Sequence, residues 1–400
     1  MTERGLDFEE LRRTVADLLE EDPGLIGAEA NLFTLGLDSI VLMQLVGRWR
    51  QSGIEVNFAQ LAEHPTVNAW TKLLSAREPI RREPGTAAGT GVDTSPETDV
   101  EFPLAVMQHA YWIGRQDGQP LGGVAAHLYT EFDGTGVDPD RLRDAVERLI
   151  ARHAMLRAKF TKNGKQCIEK ISGWAGLTVY DLRDHDHENL TARLKSIRER
   201  LSQQMLDIEH GEVFSTALSL LPGGGTRLHL DVDMVAADAV SYRILVADLA
   251  RIYEQPDMML PAINFSYNKY CAVRPKLRRE AAQRAARWWQ NRLPGLPGAP
   301  ELPLVAGSDV GECTGPVRVA RRHFMLPAPE YTALSEASRR RGLTPAMVVA
   351  TAFAEVLGTW SAQPRFLLNI PLFDREPVHP DVGKLLGDFT SSVLLDVDLT

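Results

Sequence analysis

The chain has 400 residues, a length that suits two to three domains rather than one. Hydrophobic residues make up 44% and charged residues 24%, near the averages for soluble globular proteins, which excludes collagen-like, coiled-coil and wholly disordered classes. The 44 Lys and Arg against 53 Asp and Glu leave a net charge of -9 with no long basic stripe, so nucleic acid is excluded as an expected partner.

In chain order, Phe8, Leu11, Val15 and Leu18 recur at helical spacing, and Ile40, Met43, Val46 and Arg50 continue such a face after a loop. A short helix from Phe58 and, beyond Pro65, a last one carrying Val67, Trp70 and Leu74 complete a small all-α four-helix bundle over residues 1–76. Ahead of its second helix stands Leu35-Gly36-Leu37-Asp38-Ser39-Ile40. A phosphodiester on the Ser39 hydroxyl would sit at the positive end of that helix. Asp38 and Ser39 fit an ordinary helix cap equally well. Residues 77–99, REPIRREPGTAAGTGVDTSPETD, carry almost no large apolar side chains and predict a flexible linker.

Beyond it, residues 100–400 mix two periods. Leu128, Thr130 and Phe132 alternate with polar neighbours, as do Leu228, Leu230 and Val232, while Leu142–Arg152 and Leu190–Met205 read as helices. Strands interleaved with helices predict an α/β or α+β body. The stretch 279–292 reads as an amphipathic helix, and the Pro-rich 293–304 as a crossing between two lobes. In Leu230–Ser241, alternation puts Asp233 opposite Val232 in a strand, and Asp238 is placed to cap a helix whose apolar positions are Val240, Ile244, Ala247 and Leu249. On these grounds alone Asp238 and Ser241 could simply start a helix, with Asp233 held by an arginine. Asp388 and Thr390 belong to Gly387-Asp388-Phe389-Thr390, a turn leading into a strand at 393–397. Cys167, Cys271 and Cys313 are too few and too far apart for a disulfide framework or a metal knuckle, which implies a reducing compartment and no metal. The longest apolar run, 346–354, is too short for a bilayer, and the first residues lack a signal-peptide core. A cytoplasmic protein with no membrane partner is expected.

Several strings resemble known families. The Leu35–Ile40 hexapeptide within a bundle of this size resembles the carrier proteins of nonribosomal peptide synthetases, which implies 4'-phosphopantetheine attached at Ser39 next to Asp38. Phe102-Pro103-Leu104 with Gln108, Ala110, Tyr111, Gly114 and Arg115, and Arg152–Phe160, resemble the opening motifs of heterocyclization domains, relatives of condensation domains; Ala105 stands where Thr or Ser is usual. Asp233, Asp238 and Ser241 reproduce the DxxxxDxxS of those domains, with Met234 where amide-forming condensation domains have their second histidine. A thioether cannot take a proton, whereas ring closure with loss of water needs a positioned acid/base pair. The resemblance assigns a cyclodehydration role to Thr390, supported by Asp388. Asn369–Arg375 resembles the NxxLFxR motif, and Thr344, Pro345 and Trp360 match a helix motif. The family pairs that threonine with an aspartate roughly thirty residues further on, beyond Thr400. The implied fold of residues 100–400 is chloramphenicol-acetyltransferase-like, two lobes with a tunnel between them, the second incomplete.

A carrier followed by such a domain resembles the start of pyochelin- and yersiniabactin-type siderophore synthetases. The implied partners are a phosphopantetheinyl transferase, a trans-acting aryl-adenylating enzyme for salicylate or 2,3-dihydroxybenzoate, and a downstream cysteine-loaded carrier. The implied reaction joins the aryl group to cysteine and closes an aryl-thiazoline. Two other readings remain open at this point: a carrier and docking fragment without cyclization, and an amide-forming condensation domain.

Overall fold

The computed structural model describes residues 7–19, 21–32, 64–75, 99–116, 122–303, 319–373 and 375–400, with single positions 35, 37, 42, 45, 49, 56, 60 and 61. Ser39, Asp38 and nearly all of the 77–99 segment lie outside them. In the N-terminal part, α1 (Phe8–Leu19) and α2 (Val67–Ser75) enclose a separate core. Leu11, Val15, Leu32, Leu37, Leu42, Leu45, Trp49, Leu61, Val67, Trp70 and Leu74 are buried together. Trp49 and Trp70 meet edge to face at 5.7 Å, and the Trp70 indole N–H donates to the Leu61 carbonyl at 2.9 Å. An aromatic with its polar edge satisfied can be buried completely.

The larger part is mixed. A three-stranded antiparallel sheet holds β1 (Phe102–Pro103), β4 (Lys165–Ile168) and β3 (Ala158–Phe160) in that order. A four-stranded sheet runs β2 (His127–Thr135), β7 (Gly225–Asp233), β6 (Phe214–Leu220), β5 (Leu177–Asp181), antiparallel except for the parallel β5–β6 pair. Around them lie α3 (Val106–Gly114), α4 (Pro139–Arg152), α5 (His187–Leu201) and α6 (Ala239–Glu254). Leu142, Val146 and Leu149 of α4, Leu245 and Leu249 of α6, and Leu230 and Val232 of β7 share one core. At roughly 25 cal/mol per Å² of apolar area removed from water, such a cluster is what holds the sheet to its helices.

Two readings shift. The helix expected over Leu190–Met205 starts at His187 behind an Asp186 cap and stops at Leu201. On α6 the buried positions are Ser241, Leu245, Asp248, Leu249 and Ile252, with Ala247 exposed. The stripe turns because two polar side chains, Ser241 and Asp248, find partners inside and are drawn in with the leucines. Next come α7 (Tyr267–Leu277) and α8 (Arg279–Arg292), the latter on the bounds its periodicity predicts. Last are α9 (Ala328–Arg340), α10 (Pro345–Trp360) and the antiparallel pair β8 (Arg365–Phe373) and β9 (Thr390–Asp398), with Ala354, Phe366 and Val397 as a small core. Among the described residues, no single helix is long and apolar enough to cross a membrane.

Candidate active site

The N-terminus of α6 is tied to a loop almost 150 residues away in sequence. Asp238 caps the helix, accepting the Ser241 N–H at 2.6 Å, and its own N–H donates to the Gly387 carbonyl at 3.0 Å. The Ser241 hydroxyl donates to that same carbonyl at 2.7 Å and accepts the Gly387 N–H at 3.0 Å. Arg375 closes the knot: Nη2 donates to Asp238 Oδ1 at 2.9 Å and to Ser241 Oγ at 2.7 Å, and Nη1 donates to the Leu385 carbonyl at 2.8 Å. Its guanidinium stacks 4.0 Å from the Phe389 ring centre. Asp238 is therefore a helix cap, as its position predicts, and also a strut for the loop ahead of β9.

That loop presents two unsatisfied groups. Asp388 and Thr390 are 2% and 8% exposed. Asp388 Oδ1 accepts the Thr390 N–H at 3.0 Å, and the Tyr267 hydroxyl donates to the Asp388 carbonyl at 2.6 Å. Asp388 Oδ2 and Thr390 Oγ1 are buried with no hydrogen-bond partner among the described residues. Such atoms cost free energy, so they mark a place built for something other than stability. Burial pushes the Asp388 carboxyl up to about 6, with the Asp238 carboxylate adding to the rise and Thr390 and Arg375 opposing it. Tyr111 of α3 feels the same loop: its phenol is pushed up to about 12 by burial, then by Asp388 and Asp238. In the sequence Tyr111 and Arg375 stand out only as parts of longer strings. Their approach to the loop depends on tertiary packing that no local spacing records.

Asp233 lies apart from this knot. It is 1% exposed, ion-paired with Arg115, and accepts the Val235 N–H at 3.1 Å. Burial raises its carboxyl, and Arg115 offsets part of that. Arg115 also donates to the Leu206 carbonyl, so the pair pins the end of β7 to the chain after α5. Met234 follows, its N–H donating to the Ala126 carbonyl at 2.9 Å. Two buried histidines elsewhere in the body, His229 and His153, have partners of their own. His229 sits between Tyr129 Oη and Ser219 Oγ, each at 2.9 Å, and burial pushes it down to about 4. His153 Nε2 lies 3.0 Å from Asp248, and the ring borders a cavity of about 270 Å³ that Tyr267 and Leu386 also line. In the N-terminal part, Leu37 and Leu42 on either side of the expected attachment site are buried.

Comparison with known proteins places this geometry. The Condensation domain family matches residues 100–400, and the phosphopantetheine attachment site family matches residues 9–74. The chain belongs to the condensation-domain family. It is an enzyme segment of the condensation and cyclization class from a nonribosomal peptide synthetase, with a carrier region whose covalent cofactor is 4'-phosphopantetheine. Such a carrier requires a phosphopantetheinyl transferase. The chain is 46% identical over 399 residues to the phenyloxazoline synthase MbtB of Mycolicibacterium paratuberculosis, covering 98% of this chain and 33% of that protein. It is 38% identical to the pyochelin synthetase PchE of Pseudomonas aeruginosa, covering 96% of this chain and 26% of that one. The chain thus spans a third or less of these relatives. The EpoB cyclization-docking bidomain from Sorangium cellulosum superimposes with a TM-score of 0.67 at 33% identity, covering 90% of this chain and 73% of that one. Its condensation fold is therefore of the cyclization branch.

Proposed function

We propose that this chain joins an aryl group, delivered as a thioester on Ser39's arm, to the amine of a carrier-bound amino acid and then closes a five-membered ring with loss of water, in siderophore-type biosynthesis. The observation that carries the reading is the 387–390 loop, where the Thr390 hydroxyl and one Asp388 carboxyl oxygen are buried and, among the described residues, make no hydrogen bond of ordinary geometry. The phosphopantetheine arm supplies an activated acyl group at the end of a long tether. The rest is the work of this chain's residues. After the amide forms, the side-chain heteroatom of the second residue attacks the amide carbonyl carbon, leaving a tetrahedral centre that bears a hydroxyl. Thr390 Oγ1 hydrogen-bonds the departing oxygen, and Asp388 supplies the proton that lets it leave as water. The C=N bond then forms as the nitrogen loses its proton to the Asp388 carboxylate, which restores the acid. A carboxyl near pKa 6 keeps a protonated fraction at neutral pH, which an ordinary aspartate does not. Asp238, Ser241 and Arg375 hold the loop, and Asp233 with Arg115 holds the end of β7 that leads into Asp238. In this assignment Asp388 and Thr390 handle the reacting atoms, while Asp233, Asp238 and Ser241 position them.

The aryl acid is proposed to be salicylate, supplied by an adenylating enzyme in trans. The ring atom has two readings. The siderophore analogy favours cysteine and a thiazoline; the name of the 46% identical relative, phenyloxazoline synthase, favours a hydroxyl amino acid and an oxazoline. Offering the holo protein serine-, threonine- and cysteine-loaded carriers and weighing the products separates them, since only a productive acceptor gives a product one water lighter than the open amide. Treatment with coenzyme A and a phosphopantetheinyl transferase is expected to add the arm to the parent and not to Ser39→Ala. Arm addition to Ser39→Ala would contradict the assignment.

A further inference from the structure

Asp231 and Asp233 flank Val232 on β7, so they project from the same face of the sheet. In the antiparallel register His127 of β2 lies opposite Asp233, and Tyr129 opposite Asp231. Opposed side chains share a face, and here His127 leans along the strand to Asp231. His127 Nδ1 is 2.6 Å from Asp231 Oδ1, and Asp231 Oδ2 accepts from Gln204 Nε2 at 2.6 Å. The two side chains are 7% and 3% exposed. On the other side of the ring, Arg321 Nη2 stands 3.2 Å from His127 Nε2. A guanidinium has only donors, so Nε2 is the acceptor and the ring proton sits on Nδ1, facing Asp231. The ring is oriented by a buried carboxylate on one side, with Nε2 turned to Arg321 on the other. Arg321 is exposed, so its side chain can be displaced, and nearby Val319 exchanges two hydrogen bonds with Gln203.

The proposed reaction also needs a proton acceptor in its first, amide-forming step, ahead of the dehydration assigned to Asp388 and Thr390. An attacking amine must lose a proton as it bonds to the thioester carbonyl carbon. We propose that His127 is that acceptor, with Asp231 as its positioning residue and Arg321 occupying the amine's place at Nε2; this rests on the function proposed above. The C–N bond forms, Nε2 takes the amine proton, the C–S bond breaks, and the protonated ring returns the proton to the leaving sulfur. The charged groups facing the ring are Asp231 and Asp233 from β7, Arg115 paired with Asp233, and Arg321; Glu131, further along β2, is held by Arg198 and Arg227.

The test uses the whole natural polypeptide with two soluble substrates, a salicyloyl thioester of N-acetylcysteamine and serine methyl ester. His127→Gln is expected to slow amide formation about 100-fold or more, the low end of what a general base contributes. Ring closure of a pre-formed salicyloyl-serine thioester is expected to continue at the parental rate. In nitrogen-15 spectra of the unloaded protein, His127 is expected as the Nδ1-protonated tautomer. Arg321→Ala is expected to lower the KM for serine methyl ester in amide formation, because the side chain that occupies Nε2 is gone. A parental rate in His127→Gln, or an Nε2-protonated ring, overturns the proposal alone. A parent that forms no amide overturns the underlying function with it. If His127→Gln does not fold, an unchanged KM for serine methyl ester in Arg321→Ala is the contradicting result.

Discussion

A carboxyl that keeps its proton toward neutral pH must be shut away from water, and Asp388 is held so by Tyr267 on its carbonyl and Thr390 on one carboxyl oxygen. The folded protein binds that proton up to about pH 6, whereas the unfolded chain releases it near 3.8. Stability therefore falls as pH rises through this window, and the deficit is complete above about 6. Asp388→Asn is expected to be more stable than the parent at pH 8 by about 1–3 kcal/mol, with no gain at pH 3, and to close no ring. Denaturant titrations at the two pH values check the first part. A variant less stable at pH 8 would show that the carboxylate is compensated and not strained. That Asp238 and Ser241 start a helix and that Asp388 and Thr390 lead into a strand was legible in the sequence, because each sits in a short ordered string. What was not legible is how they divide: Asp238 and Ser241 meet Arg375 and Gly387, while Asp233 meets Arg115, and these partners are chosen by packing over more than a hundred residues.

At the scale of elements, the site is a helix start clamped to a strand start. Gly387 lets the loop run against the Tyr267 ring: a Cβ there would lie 2.3 Å from Tyr267 Cδ2. Tyr267 is itself packed edge to face on Phe389 at 5.2 Å, so the ring has nowhere to go. Gly387→Ala is expected to destabilise the protein by about 1–3 kcal/mol and to slow ring closure more than amide formation, because the shift falls on Asp388 and Thr390. Thermal melts together with separate rates for the two steps check this, and equal slowing of both would count against the division of labour. Alternation in β2 and β7 and the period of α8 were readable from residues alone. The buried stripe of α6 was displaced because periodicity counts apolar side chains, and Ser241 and Asp248 are buried for their hydrogen bonds.

For the whole molecule, the order of carrier before condensation domain was legible, since each carries its own strings and its own core. We propose residues 77–99 as the tether between them. A flexible chain of that length has a root-mean-square span of about 26 Å. A Gly/Ser replacement of equal length is expected to leave transfer from the protein's own carrier within about twofold, whereas deleting residues 83–94 is expected to slow it about tenfold with the rate on a soluble thioester unchanged. Rapid-quench single turnovers check both.

The most direct measurement is the mass of the product formed by Thr390→Ala in the whole natural polypeptide, loaded with the aryl group and given its amino-acid partner. The account predicts that the open amide accumulates at close to the parental rate and keeps its water. Ring product formed as fast as by the parent would contradict it.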